Sequence, residues 1–329
     1  MKPKLLITGG SGLVGSYLIR WFSQQGYSEI TATYHSSRES IPEDILSLAT
    51  WRKLSLPNSE DVFDIVEGHE WVIHCAGLVS YHPSDKYRLL DINRTGTEQM
   101  VNACLKHSPA HVVYVGSISA LGRELDHTTL HEEAAWIDNN FSTSYGLSKY
   151  LGELEVWRGS AEGLKVSVVL PSIILGTGAW HRSSLQMVDR VATKSGWYPG
   201  GQTGMVDVRD VVRFISHLLE RNLHGQRWIL NGSNITYKEV YQILGQQLNP
   251  EKSFRLAPLW LARTILTANQ WLGMGGPGTE ILNHTYGTFS YDATKSLQVD
   301  GFSYRDIRTT LVELARVYLE KGSRPVLPF

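Results

Sequence analysis

Ser117, Tyr145 and Lys149 are the residue types of an acid–base site. A tyrosine and a lysine four positions apart on a helix share one face, with Cβ atoms about 5–6 Å apart. A free phenol has a pKa of about 10 and is a poor acid–base catalyst near neutrality. An ammonium one turn away and the N-terminal end of a helix both favour phenolate. Such a phenol can give a proton to a carbonyl oxygen as hydride arrives. Lys149 is therefore expected to lower the Tyr145 pKa, and Ser117, where an apolar strand run stops and hydroxyls begin, to hold the substrate oxygen. The spacing is not unique, because Tyr291-Asp-Ala-Thr-Lys295 repeats it. Tyr145 opens a helix after a strand ending in hydroxyls, whereas Tyr291 lies far beyond the parallel strands with no such strand end before it. Tyr145 is the expected acid–base residue and Tyr291 a structural one.

The stretch Lys4 to Gly15 reads as the cradle of a dinucleotide. Gly10-Ser-Gly12-Leu-Val-Gly15 fits GxGxxG, and Thr8-Gly9-Gly10-Ser11-Gly12-Leu13-Val14-Gly15 fits TGxxGxxG. The apolar run Leu5-Leu6-Ile7, a tight turn and a helical pattern from Leu13 make half of a βαβ unit. Gly9 can take backbone angles closed to other residues, Gly12 lets N–H groups approach a pyrophosphate, and Gly15 allows close helix–strand packing. The helix start at Leu13 and Val14 offers free N–H donors and a partial positive charge.

Folds of this kind that bind NAD place an Asp or Glu after the second strand to hold the ribose 2′-hydroxyl. Here the strand Glu29–Tyr34 is followed by His35-Ser36-Ser37-Arg38, with no carboxylate before Glu39. Arg38, His35 and the serine hydroxyls can donate to a 2′-phosphate that a carboxylate would repel. NADP is the favoured cofactor and NAD the alternative; the competing reading of Arg38 is a solvated loop arginine.

The elements that position these residues alternate strand and helix. The expected fold class is α/β, a Rossmann-type doubly wound parallel sheet with a smaller, mostly helical substrate domain. Leu54–Leu56 reads as a third strand, and a helix capped by Asn58 or Ser59 follows, ending near Gly68. A fourth strand, Trp71–Cys75, ends in small residues, Ala76 and Gly77, that let a cofactor lie across it. His74 reads as structural. One long helix is expected from about Ser84 to His107; an asparagine inside it is mildly unfavourable, so Asn93 is either exposed or used. The fifth strand is His111–Val115, and the sixth is Lys165–Leu170, ended by Pro171. Trp180–Trp197 reads as a loop and short helix, Asp210–Arg221 as a helix, and Gln226–Asn231 as a further strand. Thr236 and Glu239 form a capping-box pattern, and a last helix runs from about Arg305 to Lys321. The aromatic residues of Pro258–Gly301 are expected in the core. The dinucleotide-binding domain is assigned to residues 1–172 plus about 208–232, and the substrate-binding domain to about 173–207 plus 233–329.

Composition narrows the partners. A chain of 329 residues with 42% hydrophobic and 19% charged residues is ordinary for a globular protein. A net charge of −1 gives no electrostatic footprint for nucleic acid or an anionic membrane. Cys75 and Cys104 make no disulfide framework, which suggests a reducing compartment. The segment Leu256–Leu272 is broken by Pro258, Arg263, Asn269 and Gln270 and reads as an amphipathic helix rather than a membrane span. A cytoplasmic location, a small-molecule substrate and no metal site are expected.

TGGSGLVG at 8–15, Ser117, and Tyr145 with Lys149 together resemble the extended short-chain dehydrogenase/reductase family. The resemblance implies that Asn93 supports the active-site lysine through water, and that Lys149 holds the cofactor ribose. It also implies that the segment around Pro171 and Ile173 lies beside the nicotinamide, and that Met205–Val211 is the family's later signature. An aspartate that meets the adenine in many relatives is absent after the third strand, where Ser55 stands. Sugar dehydratases of this kind place an acidic pair after the catalytic Ser or Thr, and epimerases an aromatic residue and Gly. GSISALG and PGGQTGMVDVRDV instead resemble the dihydroflavonol-4-reductase-like branch. The expected activity is NADP-dependent reduction of a ketone or aldehyde on a mostly apolar molecule. A nucleotide-sugar epimerase or dehydratase is one rival, and a non-catalytic dinucleotide-sensing regulator the other. The family's dimers pair the helices near Asn93 and Tyr145, so a homodimer is implied.

Overall fold

A computed structural model describes residues 2–123, 129–178, 186–193, 196–272, 276–320, 327 and 329. The strands are β1 (Leu5–Thr8), β2 (Ile30–Tyr34), β3 (Thr50–Lys53), β4 (Trp71–His74), β5 (His111–Val115), β6 (Thr129–Leu130) and β7 (Val166–Pro171). There follow β8 (Ile173–Leu175), β9 (Trp197–Tyr198), β10 (Gln202–Asp207), β11 (Gln226–Leu230), β12 (Ser233–Thr236), β13 (Arg255–Leu256) and β14 (Ser290–Tyr291). Seven of them form one parallel sheet in the order β11-β7-β5-β4-β1-β2-β3. The order reverses at β1, so the crevice beside the carboxyl ends of β1 and β4 is the switch point where such sheets bind ligands.

Alternation along each strand explains why helices cover both faces. Leu5, Ile7, Ile73, Val113 and Val169 enter one core, while Leu6, Val72, Val112, Tyr114 and Val168 enter the other. Successive side chains of a strand point to opposite faces, so a strand buried on both sides must be apolar throughout. The edge strand β3 escapes this requirement. It lies at Thr50–Lys53 with mostly exposed side chains, not at the apolar Leu54–Leu56. Leu54 and Leu56 instead pack into the core below the sheet edge.

The helices are α1 (Leu13–Gln24), α2 (Ser59–Val66), α3 (Lys86–Leu89), α4 (Gly96–His107), α5 (Ser144–Ala161) and α6 (Gln186–Thr193). The rest are α7 (Val208–Glu220), α8 (Tyr237–Leu248), α9 (Leu259–Trp271), α10 (Glu280–Tyr286), α11 (Thr294–Leu297) and α12 (Ile307–Leu319). Asn58 caps α2 by accepting from Glu60 N–H, and Thr236 caps α8 by accepting from Glu239 N–H. The single helix expected from Ser84 to His107 is divided: a π-helical turn, Leu90–Thr95, separates α3 from α4. Pro171 does not end strand pairing, because Ser172 N–H continues the ladder to Leu230 O. Residues 180–185 and 194–195 of the expected Trp180–Trp197 loop lie outside the described residues, and 186–193 is α6.

A second, three-stranded sheet, β12-β10-β8, extends past the large one. It is tied down through a buried ion cluster at the junction of β10 and α7. Asp207 accepts from Arg209 N–H (2.8 Å) and Nε (2.9 Å), Thr310 Oγ1 donates to Asp207, and Arg209 Nη2 reaches Glu313. These bonds pin α12 against α7. The tryptophans of α9 are a correction: Trp260 and Trp271 are 69% and 86% exposed, and no residue of that helix is buried. Among the described residues no helix is long and apolar enough to cross a membrane.

Candidate active site

The glycine turn has the geometry of a phosphate cradle. Gly9 adopts φ +69°, and a Cβ there would stand 2.9 Å from the Ala76 backbone. At Gly15 a Cβ would stand 2.3 Å from Gly9 O, so only glycine lets α1 approach β1 this closely. The turn is held by Gly12 N–H to Gly9 O and by Gly9 N–H to the Thr33 hydroxyl, both 2.9 Å. Gly12, in extended conformation, precedes α1 without a side-chain cap, and the first turn holds no acidic residue. The half-buried Leu13 and Val14 thus begin a helix whose positive end is left for an anion. His35 and Arg38 are exposed on the turn just after β2, beside this cradle. Ser37 bonds Glu39 and holds that carboxyl below its usual range, so this hydroxyl is already engaged.

Behind the turn runs a hydrogen-bonded chain that sequence reading missed. Ala76 N–H donates to Thr8 Oγ1 (3.2 Å), and Thr8 Oγ1 meets His74 Nδ1 at 2.8 Å. On the other side His74 Nε2 meets Thr97 Oγ1 at 3.2 Å, and that hydroxyl donates to Asn93 O at 2.6 Å. Because the Thr97 proton is spent on Asn93, His74 must donate from Nε2 and accept from Thr8 at Nδ1. Burial, with the Lys149 charge adding to it, pushes this imidazole down to about 3, so it is neutral. His74 thus fixes Thr8 and Ala76 on one side and the π turn on the other.

The π turn aims Asn93. Its amide oxygen accepts from Leu78 N–H (2.7 Å), while its nitrogen donates to Leu78 O and to Ser148 Oγ, both 2.9 Å. Asn93 is therefore used rather than exposed: it clamps the Gly77–Leu78 loop at the end of β4 and touches α5 next to Lys149. Gly77 itself is exposed on that loop, and Ala76 is half-buried.

Thr143 starts α5 by accepting from Gly146 N–H at 2.9 Å, which places Tyr145 in the first turn and Lys149 one turn later. Both side chains are buried. Lys149 Nζ donates to Val115 O at 2.8 Å and lies 4.4 Å from the centre of the Tyr114 ring. Burial pushes this ammonium down to about 8. The Tyr145 hydroxyl is hydrogen-bonded to Ser117, which sits at the carboxyl end of β5 and caps the next turn through Ser119 N–H. The expected direction of the Tyr145 pKa is corrected. Burial raises it, the neighbouring Tyr81 adds to that, and the Ser117 bond opposes. The lysine is desolvated, and its ammonium donates to Val115 O.

Around the phenol stand further tyrosines, of which no motif marked Tyr81 or Tyr237. Tyr81 packs edge-on to Tyr145, ring centres 5.8 Å apart, and its hydroxyl bonds Ser119. Tyr237 and Tyr291 lie within electrostatic reach of Tyr81. Tyr291 belongs to β14, which pairs with β6, and its hydroxyl accepts from Arg123 Nη2 at 3.1 Å. Lys295 stands on a different element, α11, and donates to Arg227 O, so the second Tyr–Lys spacing forms no pair. Pro171 is buried at the end of β7, and Ile173 enters β8, where it pairs with Met205. Between them the buried Ser172 hydroxyl has no hydrogen-bond partner.

These features fit a dinucleotide: an uncapped helix end behind a glycine turn, a buried cation at the sheet's carboxyl edge, and an unsatisfied hydroxyl beside Pro171. Comparison with known proteins agrees. The family model described as the NAD dependent epimerase/dehydratase family matches residues 5–231. A putative dihydroflavonol 4-reductase of Synechocystis is 24% identical, over 98% of this chain and 96% of its own. The tetraketide alpha-pyrone reductase 2 of Arabidopsis thaliana is 28% identical, over 73% of this chain and 81% of its own. Among solved structures, a nucleoside-diphosphate-sugar epimerase from Pseudomonas aeruginosa superposes with a TM-score of 0.76 at 19% identity, covering 98% of this chain and 99% of that one.

Proposed function

Because the chain belongs to the NAD dependent epimerase/dehydratase family, and so is an extended short-chain enzyme using NAD(P), we propose that it reduces a ketone or aldehyde on a mostly apolar small molecule. The observation that carries this reading is the buried Tyr145 hydroxyl, bonded to Ser117 at the carboxyl end of β5. A protonated phenol is the form that a carbonyl reduction consumes. When bound, the reduced nicotinamide supplies hydride. Tyr145 donates its proton to the carbonyl oxygen, and Ser117 orients that oxygen. Lys149 holds the cofactor ribose, and the α1 N-terminus with Gly9, Gly12 and Gly15 holds the pyrophosphate. Asn93 positions Lys149 by fixing α5 through Ser148. The tyrosines beside Tyr145 offer an aromatic enclosure for a ring-sized molecule, and the similar proteins from Synechocystis and Arabidopsis carry reductase names.

NADP is the proposed cofactor, since Arg38 and His35 are the groups exposed where a 2′-phosphate would lie. Arg38→Ala should lower kcat/KM for NADPH about 10-fold, one charge-assisted hydrogen bond's worth, and leave NADH unchanged. The likeness to the Pseudomonas fold keeps an epimerase in view. NADPH consumption with a panel of carbonyl compounds and nucleotide sugars separates the two, because epimerisation recycles the cofactor. Tyr145→Phe should cut kcat by roughly 10²–10⁴ while cofactor affinity holds; full reductase turnover by this variant rejects the assignment.

A further inference from the structure

Arg123 is 4% exposed and directly follows the strand-end segment that holds Ser117 and Ser119. Its Nη2 donates to Ile118 O (3.2 Å) and to the Tyr291 hydroxyl (3.1 Å), and its guanidinium lies 5.2 Å from the Phe289 ring centre. All these partners are neutral. Its Nε is buried with no hydrogen-bond partner. Among the described residues Arg123 forms no ion pair. A buried charge is normally paired, and an orphaned buried donor calls for an explanation.

The neighbours identify the space it serves. Its charge is felt by Tyr81, the ring that packs on Tyr145, and by Tyr237. The same charge helps to keep His284 neutral, pushed down to about 3 mainly by burial. Glu280, which also acts on Tyr81, is engaged elsewhere: it accepts from Ser144 N–H and responds to Lys86. Among the described residues the guanidinium is thus an unmatched cation, on the side of Tyr145 that Tyr81 covers.

We propose that Arg123 is a specificity-determining residue that pairs with an anionic oxygen group, a carboxylate or an acidic enol, carried by the substrate at a distance from its carbonyl. The substrate is then an apolar, ring-sized ketone or aldehyde with one negative end. The tyrosine rings cover its body, and the fork of Arg123 closes on the anion. This rests on the reductase reading for the place of the carbonyl.

The test uses two aldehydes of the same shape, para-formylbenzoate and its methyl ester. Calorimetric binding to the protein saturated with NADP⁺ is measured first, then turnover with NADPH. The carboxylate should bind roughly 10–100-fold more tightly than the ester, the range expected for a hydrogen bond to a charged group. Arg123→Gln should abolish that preference while leaving the ester's affinity unchanged, and Arg123→Lys should keep part of it. A wild-type protein that binds the two alike, or binds neither at millimolar concentration, overturns the proposal. So does a preference that survives Arg123→Gln. Should Arg123→Gln fail to fold, the wild-type preference and the lysine variant decide. A preference lost in Arg123→Gln with no turnover of either aldehyde upholds the anion site and removes the reductase reading.

Discussion

Lys149→Met should stabilise the free protein while disabling it. A lysine ordinarily loses its proton near 10.5, and burial brings Lys149 down to about 8. At about 1.36 kcal/mol for each tenfold change, keeping this ammonium buried costs roughly 3 kcal/mol at pH 7. Methionine avoids that cost but forfeits the bond to Val115 O, worth about 1 kcal/mol. The variant should therefore exceed the wild type by roughly 2 kcal/mol in urea unfolding at pH 7. The sign with pH follows from proton counting. Between about 8 and 10.5 the unfolded lysine holds its proton and the folded one has released it, so wild-type stability rises with pH in that window. Cys104, pushed up to about 12 by burial alone, acts in the opposite sense in both proteins and cancels in the difference, whereas Cys75, which the Lys149 charge holds down, does not cancel above about pH 9. The gap should shrink by about 2 kcal/mol on going from pH 7 to pH 9.5. A variant less stable than the wild type at pH 7, or a gap that ignores pH, refutes the claim that this cation is held against its solvation. NADPH titration of the same variant should show cofactor affinity lost.

Gly15→Ala places a methyl group 2.3 Å from Gly9 O; NADPH affinity, measured by fluorescence titration, should fall at least about 10-fold as the turn is pushed apart, and the melting temperature should drop with it. Asn93→Leu strips hydrogen bonds from Leu78 N–H, Leu78 O and Ser148 Oγ at once; urea unfolding should show a loss of about 2–4 kcal/mol, larger than any single surface substitution would give.

The parallel sheet was legible because its strands are apolar on both faces and the glycine turn follows the first of them at once. Helix starts at Asn58 and Thr236 were legible because a cap is a local device, one side chain meeting an amide two or three residues on. The same locality brought Tyr145 and Lys149 onto one helix. What stayed hidden is tertiary. No local signal marks the π turn, which is set by the bonds of Asn93 to Leu78, fifteen positions back, and to Ser148, fifty-five ahead. The direction of the Tyr145 pKa depends on how many atoms enclose the ring, a quantity the spacing Y-x-x-x-K does not contain. Edge position hid β3, since a strand with solvent on its sides needs no apolar run. The tryptophans of α9 were read as core because their type favours burial, whereas that helix buries no residue. Nothing local marks Arg123, whose partner Tyr291 comes from β14, 168 positions on.

A π turn carries one residue more than an α-helix needs over the same length. Delete Asp91 and the segment from Lys86 to His107 regains uninterrupted α-helical bonding with its flanking turns still in register, while the residues of the former π turn rotate about the axis. The Asn93 amide, inside that turn, then points away from Leu78 and Ser148. Local regularity is thus set against alignment at the cleft, and a one-codon deletion that tidies the helix would disconnect the cradle from the catalytic helix.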